Sequence, residues 1–203
     1  MAKATRLLIV RHGKTDSNCN HRLDGQSDSQ LTEEGKKQCK HLKVKLKKYK
    51  IDCIYTSPLK RALQTAQIIN EQNKPMHIVN EFIEIDCGLC TGLTKQEIKK
   101  RFPKLVSEWK RNTDPPFPGG ESLRDVEQRA IVKIKEILSE QKGKNILIVG
   151  HGALNVAIIG YFLKIPYGLR FKIKQDNCCL NEISIEDETF QIQKINEPLA
   201  VRF

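Results

Sequence analysis

Short unbroken apolar runs and longer stretches with helical periodicity take turns along the chain. Leu7-Leu8-Ile9-Val10 and Ile146-Leu147-Ile148-Val149 are rich in branched side chains and read as buried strands. Asp52-Cys53-Ile54-Tyr55 is a shorter strand, and Met76 to Val79 a fourth. Helix starts lie between them. Ser57 followed by Pro58 reads as a cap and first helical position, opening a helix from Leu59 to about Asn70. Thr94-Lys95-Gln96-Glu97 matches a capping box, opening a helix that Pro103 should end or bend. Thr32 caps a lysine-rich helix. Ser122 precedes one from Leu123 to about Gln141, in which Val126, Ala130, Ile134 and Ile137 keep helical spacing. Ala153 to Leu163 forms a last apolar helix. Cys178 to Ile185 and Thr189 to Ile195 read as a hairpin around Glu186-Asp187-Glu188. Strands alternating with helices predict an α/β fold with a largely parallel sheet. The long Pro/Gly loop from Asn112 to Gly120 reads as a flap over a site rather than a domain boundary.

Composition narrows the class. The 203 residues, 39% hydrophobic and 29% charged, fit one globular domain spanning 1–203. No apolar run approaches the ~20 residues that span a bilayer, so no membrane association is expected. The apolar stretch nearest the start, Leu7 to Val10, is too short for a signal-peptide core, which points to the cytoplasm. Seven scattered cysteines fit reduced thiols better than a disulfide framework. The five histidines show no zinc-site spacing with them, so no metal is expected. The formal charge is +11, and the segment from Glu33 to Lys50 carries eight lysines and two acids. Interleaved aromatic stacking residues and Gly-Arg runs do not accompany the lysines, so the segment reads as a solvated helix face and no nucleic-acid partner is expected. The general positive field favours an anionic small ligand.

Two histidines change the picture. Arg11-His12-Gly13 follows the first strand directly, and Gly150-His151-Gly152 follows the later one. Ligands of open α/β sheets bind beyond the carboxyl ends of strands, so both imidazoles can converge on one crevice. The flanking glycines permit close backbone approach. Arg11 stands beside His12, and Arg61 falls in the first turn of a helix. Guanidinium forks match phosphate oxygens. A neutral imidazole among such cations is a competent nucleophile towards phosphorus.

The string from Leu8 to Asn18, Leu-Ile-Val-Arg-His-Gly-Lys-Thr-Asp-Ser-Asn, resembles the signature of the histidine phosphatase (phosphoglycerate mutase-like) superfamily. Further blocks follow in family order: Gly25-Gln26, Leu31 to Gly35, Thr56 to Ala62, Gln64 to Ala66, Glu84 to Gly88, Gly119 to Ser122 and Val149 to Gly152. The resemblance implies a three-layer sandwich and a phosphohistidine mechanism that needs neither metal nor other cofactor. His12 would be the nucleophile. Arg11, Arg61 and His151 would hold the phosphoryl oxygens, with a further hydrogen bond from Asn18. Glu84 would be the proton donor, and Gly25, Gln26 and Gly152 belong to blocks that border the substrate.

Lys95, Lys110 and Arg111 fall where mutases keep basic residues for a substrate carboxylate. They lead us to expect small phosphorylated substrates with additional negative charge. The missing insertion before Gly-Glu-Ser favours water as acceptor, hence a phosphatase. The Glu84 to Cys90 block is similar to fructose-2,6-bisphosphatase domains. Lys-Thr after Arg-His-Gly resembles the small α-ribazole and broad-specificity phosphatases, so bisphosphatase and mutase activities stay open. A non-catalytic basic binding protein would be expected to lack one of Arg11, His12, Arg61, Glu84 or His151, and all five are present. Cys87-Gly88-Leu89-Cys90 invites a redox reading, but the block that holds Glu84 already accounts for it.

Overall fold

In the computed structural model, which describes residues 3–186 and 189–199, six strands form one sheet in the order β3-β2-β4-β1-β5-β6. They are β1 (Thr5–Arg11), β2 (Cys53–Thr56), β3 (Met76–Ile78), β4 (Asn145–Gly150), β5 (Leu180–Glu186) and β6 (Thr189–Glu197). The first four are mutually parallel, whereas β5 and β6 run antiparallel as a terminal hairpin. Asp187 and Glu188 of the expected hairpin turn lie outside the described residues.

The four-residue apolar runs exist because the sheet is covered on both faces. Leu7 and Ile9 of β1, with Ile146 and Ile148 of β4, join one core cluster, and Leu8, Val10, Leu147 and Val149 join the other. The first face is covered by α4 (Lys95–Arg101), α5 (Pro103–Lys110), α6 (Leu123–Glu140) and α7 (Gly152–Phe162). The second is covered by α2 (Glu33–Leu46) and α3 (Lys60–Ile69). Two four-residue helices, α1 (Asp16–Cys19) and α8 (Tyr167–Arg170), lie in the connections. The result is the expected three-layer α/β sandwich.

Local chemistry explains the boundaries. Thr32 caps α2 by accepting from the Gly35 amide, and Thr94 and Ser122 form capping boxes with Glu97 and Asp125. Pro103 ends α4 and opens α5. The expected cap at Ser57 is corrected: Leu59 is extended and α3 starts at Lys60, whose amide donates to the Asp28 carboxylate at 3.2 Å. The Ser57 hydroxyl is engaged elsewhere, 2.7 Å from His151 Nε2. Along the lysine-rich segment, Lys36, Lys43, Lys45 and Lys47 pair with acids, as a solvated helix face does. No helix among the described residues is long and apolar enough to cross a membrane.

Candidate active site

Arg11 of β1 and Gly150 of β4 are register partners, so the residues that follow them, His12 and His151, emerge side by side. The His12 amide donates to the Gly150 carbonyl at 3.0 Å. The next turn packs tightly on α2: a β-carbon at Gly13 would lie 2.7 Å from Cys39 Sγ and from the Gly35 carbonyl oxygen. Only glycine fits that approach.

His12 is buried, and its Nδ1 lies 2.7 Å from the Gly13 carbonyl oxygen. A carbonyl only accepts, so Nδ1 carries the proton and Nε2 keeps its lone pair. Burial, reinforced by the positive charges of Arg11 and Arg61, holds this imidazole well below its usual pKa. His151 is likewise buried and pushed well below the usual value, by burial first and then by Arg61, His12 and Arg11. The Ser57 oxygen accepts from the Leu59 amide and lies against His151 Nε2. The hydroxyl can give its proton to Nε2, the tautomer in which His151 Nδ1 carries a proton of its own.

Arg61 is fully buried in the first turn of α3, its Nη1 donating to the Ser27 carbonyl and its Nη2 to the Gly25 carbonyl, each at 2.7 Å. Arg11 Nη1 donates to the Gln175 carbonyl at 2.7 Å. After these bonds, Arg11 Nε, Arg61 Nε and His151 Nδ1 are buried without a hydrogen-bond partner. Unpaired buried donors are rare. Three of them beside one free imidazole lone pair form a cradle for an anion with several oxygen acceptors.

Glu84 faces the same space. Its carboxylate accepts from the amides of Ile85 at 2.9 Å and of Ala153 and Leu154 at 3.2 Å, the last two in the first turn of α7. A β-carbon at Gly152 would lie 3.7 Å from Arg11 Nε and 3.8 Å from Glu84 Oε2, so the guanidinium and the carboxylate both approach that glycine closely. Arg11, His12, Asn18, Gly25, Arg61, Glu84 and Gly152 all line one cavity of about 300 Å³, at the small end of ligand sites. Asn18 Oδ1 receives the Thr15 amide and the Asn177 amide group, so its nitrogen is left to donate. Gln26 does not line the cavity; its Nε2 donates to the Glu84 carbonyl at 3.1 Å.

The outer basic residues separate. Lys95 lines an adjoining cleft with Arg11, Asn18 and Arg22. Lys110 and Arg111, at the end of α5, line neither space, and Arg111 turns back to Glu108 with its side chain 70% exposed. The chain then turns at Asn112, which has φ 56°, and returns with Phe117 against the cavity. The expected flap is tied down, because Asp114 accepts from the Leu123 and Arg124 amides and the Pro118 carbonyl from Leu89.

Arg129, which sequence reasoning missed, braces the segment that carries Glu84. It grips the Glu121 carboxylate with Nε and Nη2 and donates to the carbonyls of Glu81, Ile83 and Glu84. Its one legible sign is a cation between Val126 and Ala130, next to the apolar stripe of α6. Cys87 and Cys90 are buried free thiols, and burial, aided by the Glu84 charge, pushes the Cys87 thiol far up. No group of three or more His, Cys, Asp or Glu among the described residues is placed to hold a metal ion.

Comparisons with known proteins place the chain in a family. The family model of the histidine phosphatase superfamily (branch 1) matches residues 7–198. The chain is 31% identical over 194 residues to phosphoserine phosphatase 1 of Hydrogenobacter thermophilus, covering 94% of this chain and 92% of that protein. It is 34% identical over 165 residues to the 2,3-bisphosphoglycerate-dependent phosphoglycerate mutase of Cytophaga hutchinsonii, covering 78% of each. A structure of the Entamoeba histolytica phosphoserine phosphatase with 3-phosphoglyceric acid superposes with a TM-score of 0.87 at 26% identity, covering 96% of this chain and 98% of that one. With the family model spanning nearly its whole length, the chain belongs to the histidine phosphatase superfamily.

Proposed function

We propose that this protein is a phosphomonoesterase for small phosphorylated metabolites, working through a phosphohistidine on His12 with no metal. The observation that carries this reading is the set of unpaired buried nitrogens on Arg11, Arg61 and His151 together with the free Nε2 of His12. The phosphoryl oxygens complete those donors, and the guanidinium charges offset the repulsion an incoming nucleophile meets. The His12 Nε2 lone pair forms the N–P bond as the P–O ester bond breaks, and Glu84 gives its proton to the departing alkoxide. Water then adds to phosphorus, passing a proton to Glu84 as the N–P bond breaks. The cycle returns neutral His12, protonated Glu84 and inorganic phosphate.

Water rather than a second metabolite is the acceptor. A mutase must hold another organic acid against the phosphoenzyme, and Lys110 and Arg111 stand away from the cavity. The test is hydrolysis of p-nitrophenyl phosphate in EDTA. The wild type should turn over, and His12→Ala should lose at least about a thousandfold in kcat. Undiminished activity in His12→Ala would refute the assigned nucleophile.

A further inference from the structure

The wall above the cradle carries one acid that is not matched by an ion-pair partner among the described residues. Its charged side chains are Arg22, Asp24 and Lys174. Arg22 is engaged, with Nη1 donating to the Gly92 carbonyl at 2.6 Å and to the Glu97 carboxylate at 3.2 Å. Lys174 Nζ lies 2.9 Å from the Asp176 carboxylate. Asp24 differs from both. Its Oδ2 accepts from the Thr15 hydroxyl at 3.0 Å and its Oδ1 from the Ser27 hydroxyl at 3.3 Å, both neutral donors, and it makes no ion pair among the described residues. Its charge is felt by Arg61, but after those of burial and Glu84.

A bound phosphoryl dianion takes up the charges of Arg11 and Arg61. What then faces the organic part of the ester is the Asp24 carboxylate, together with the apolar side chains of Ile85, Phe117, Val156 and Ile173. A carboxylate on the leaving group would meet like charge, whereas an ammonium would find an unneutralised partner in a partly desolvated wall. Lys95, the cation left for a second anion, lines the adjoining cleft instead. We propose that Asp24 selects a positively charged group on the leaving alcohol, so that the substrates are phosphate monoesters of small amino alcohols whose carbon chain lies on the apolar wall. This inference rests on the phosphatase reading and reverses the expectation of an extra negative charge.

Three esters of similar length test it: phosphoethanolamine, n-propyl phosphate and phosphoglycolate. The wild type should favour phosphoethanolamine over n-propyl phosphate by about tenfold in kcat/KM, with phosphoglycolate last. In Asp24→Asn that ratio should fall to within about twofold of unity. Equal rates on the charged and neutral esters in the wild type, or a ratio unchanged in Asp24→Asn, would overturn the proposal. If Asp24 acted only through Arg61, all three esters would lose together, which also overturns it. Calorimetry with 2-aminoethylphosphonate and n-propylphosphonate, which cannot be hydrolysed, reads recognition apart from catalysis. Selective binding of the aminophosphonate without turnover of any ester would sustain Asp24 as the selector and reject the phosphatase reading. Equal turnover of all three esters would do the reverse.

Discussion

The imidazoles of His12 and His151 lie 5.3 Å apart between ring centroids, tilted by 58°. The strand register beneath them, Arg11 opposite Gly150, brings both rings to the same end of the sheet. Both are buried among guanidinium groups and stay neutral where free histidines take up protons.

The sign of the pH effect follows. A base held below its unfolded pKa binds fewer protons in the fold than in the unfolded chain once the pH drops below about 6.5, so stability falls with the pH there. Each buried imidazole contributes a slope of up to about 1.4 kcal/mol per pH unit. Urea unfolding at pH 7 and pH 5 should show a loss of stability that shrinks in His12→Asn/His151→Asn. An unaltered loss in the double variant would mean that other groups carry it. The unligated enzyme should also keep its nucleophile neutral on the acid side of 6.5, so that kcat/KM shows there only the substrate's own second phosphate ionisation, at about pH 6.

Glu84 is placed to protonate a leaving alkoxide, so the cost of removing it depends on the leaving group. Glu84→Gln should lower kcat on n-propyl phosphate by about a hundredfold or more, and on p-nitrophenyl phosphate far less, because p-nitrophenolate departs without a proton. Equal losses on both would remove Glu84 as the acid. Glu121 is no substitute, since both its oxygens are held by Arg129.

Arg129 positions Glu84 without touching the cavity. Arg129→Ala should lose more kcat on n-propyl phosphate than on p-nitrophenyl phosphate, with KM little changed, reproducing the pattern of Glu84→Gln in weaker form. Arg129→Lys should rescue poorly, because one ammonium cannot grip a carboxylate and reach three carbonyls. A purely structural role would lower both substrates alike through loss of folded protein.

The strands that carry the two histidines were legible because their apolar runs end abruptly in Arg-His-Gly and Gly-His-Gly, and capping chemistry announced α2, α4 and α6. The short helices α1 and α8 are too brief to show a period, and Pro103 could not say that a second helix begins where the first ends. Arg129 was hidden because three of its acceptors are main-chain carbonyls of a distant segment and the fourth group, the Glu121 carboxylate, lies eight residues back across a helix start, beyond the spacing of helical side-chain pairs. Asp24 was hidden for a related reason: an acid beside a glycine reads as turn chemistry until the fold turns it towards the cavity. Motif position put Lys110 and Arg111 where a substrate carboxylate would be held, but neither lines the cavity or the adjoining cleft.

The central claim is the covalent intermediate on His12. Rapid mixing of the wild type with p-nitrophenyl phosphate, quenching in alkali where phosphohistidine survives, and peptide mass spectrometry should find one phosphoryl group on the peptide containing His12, lost on brief acid treatment. The label should be missing from His12→Ala and should persist longer in Glu84→Gln, where water is poorly activated. A phosphoryl group on another residue, or single-turnover hydrolysis with inversion at phosphorus in a chirally labelled ester, would contradict the account.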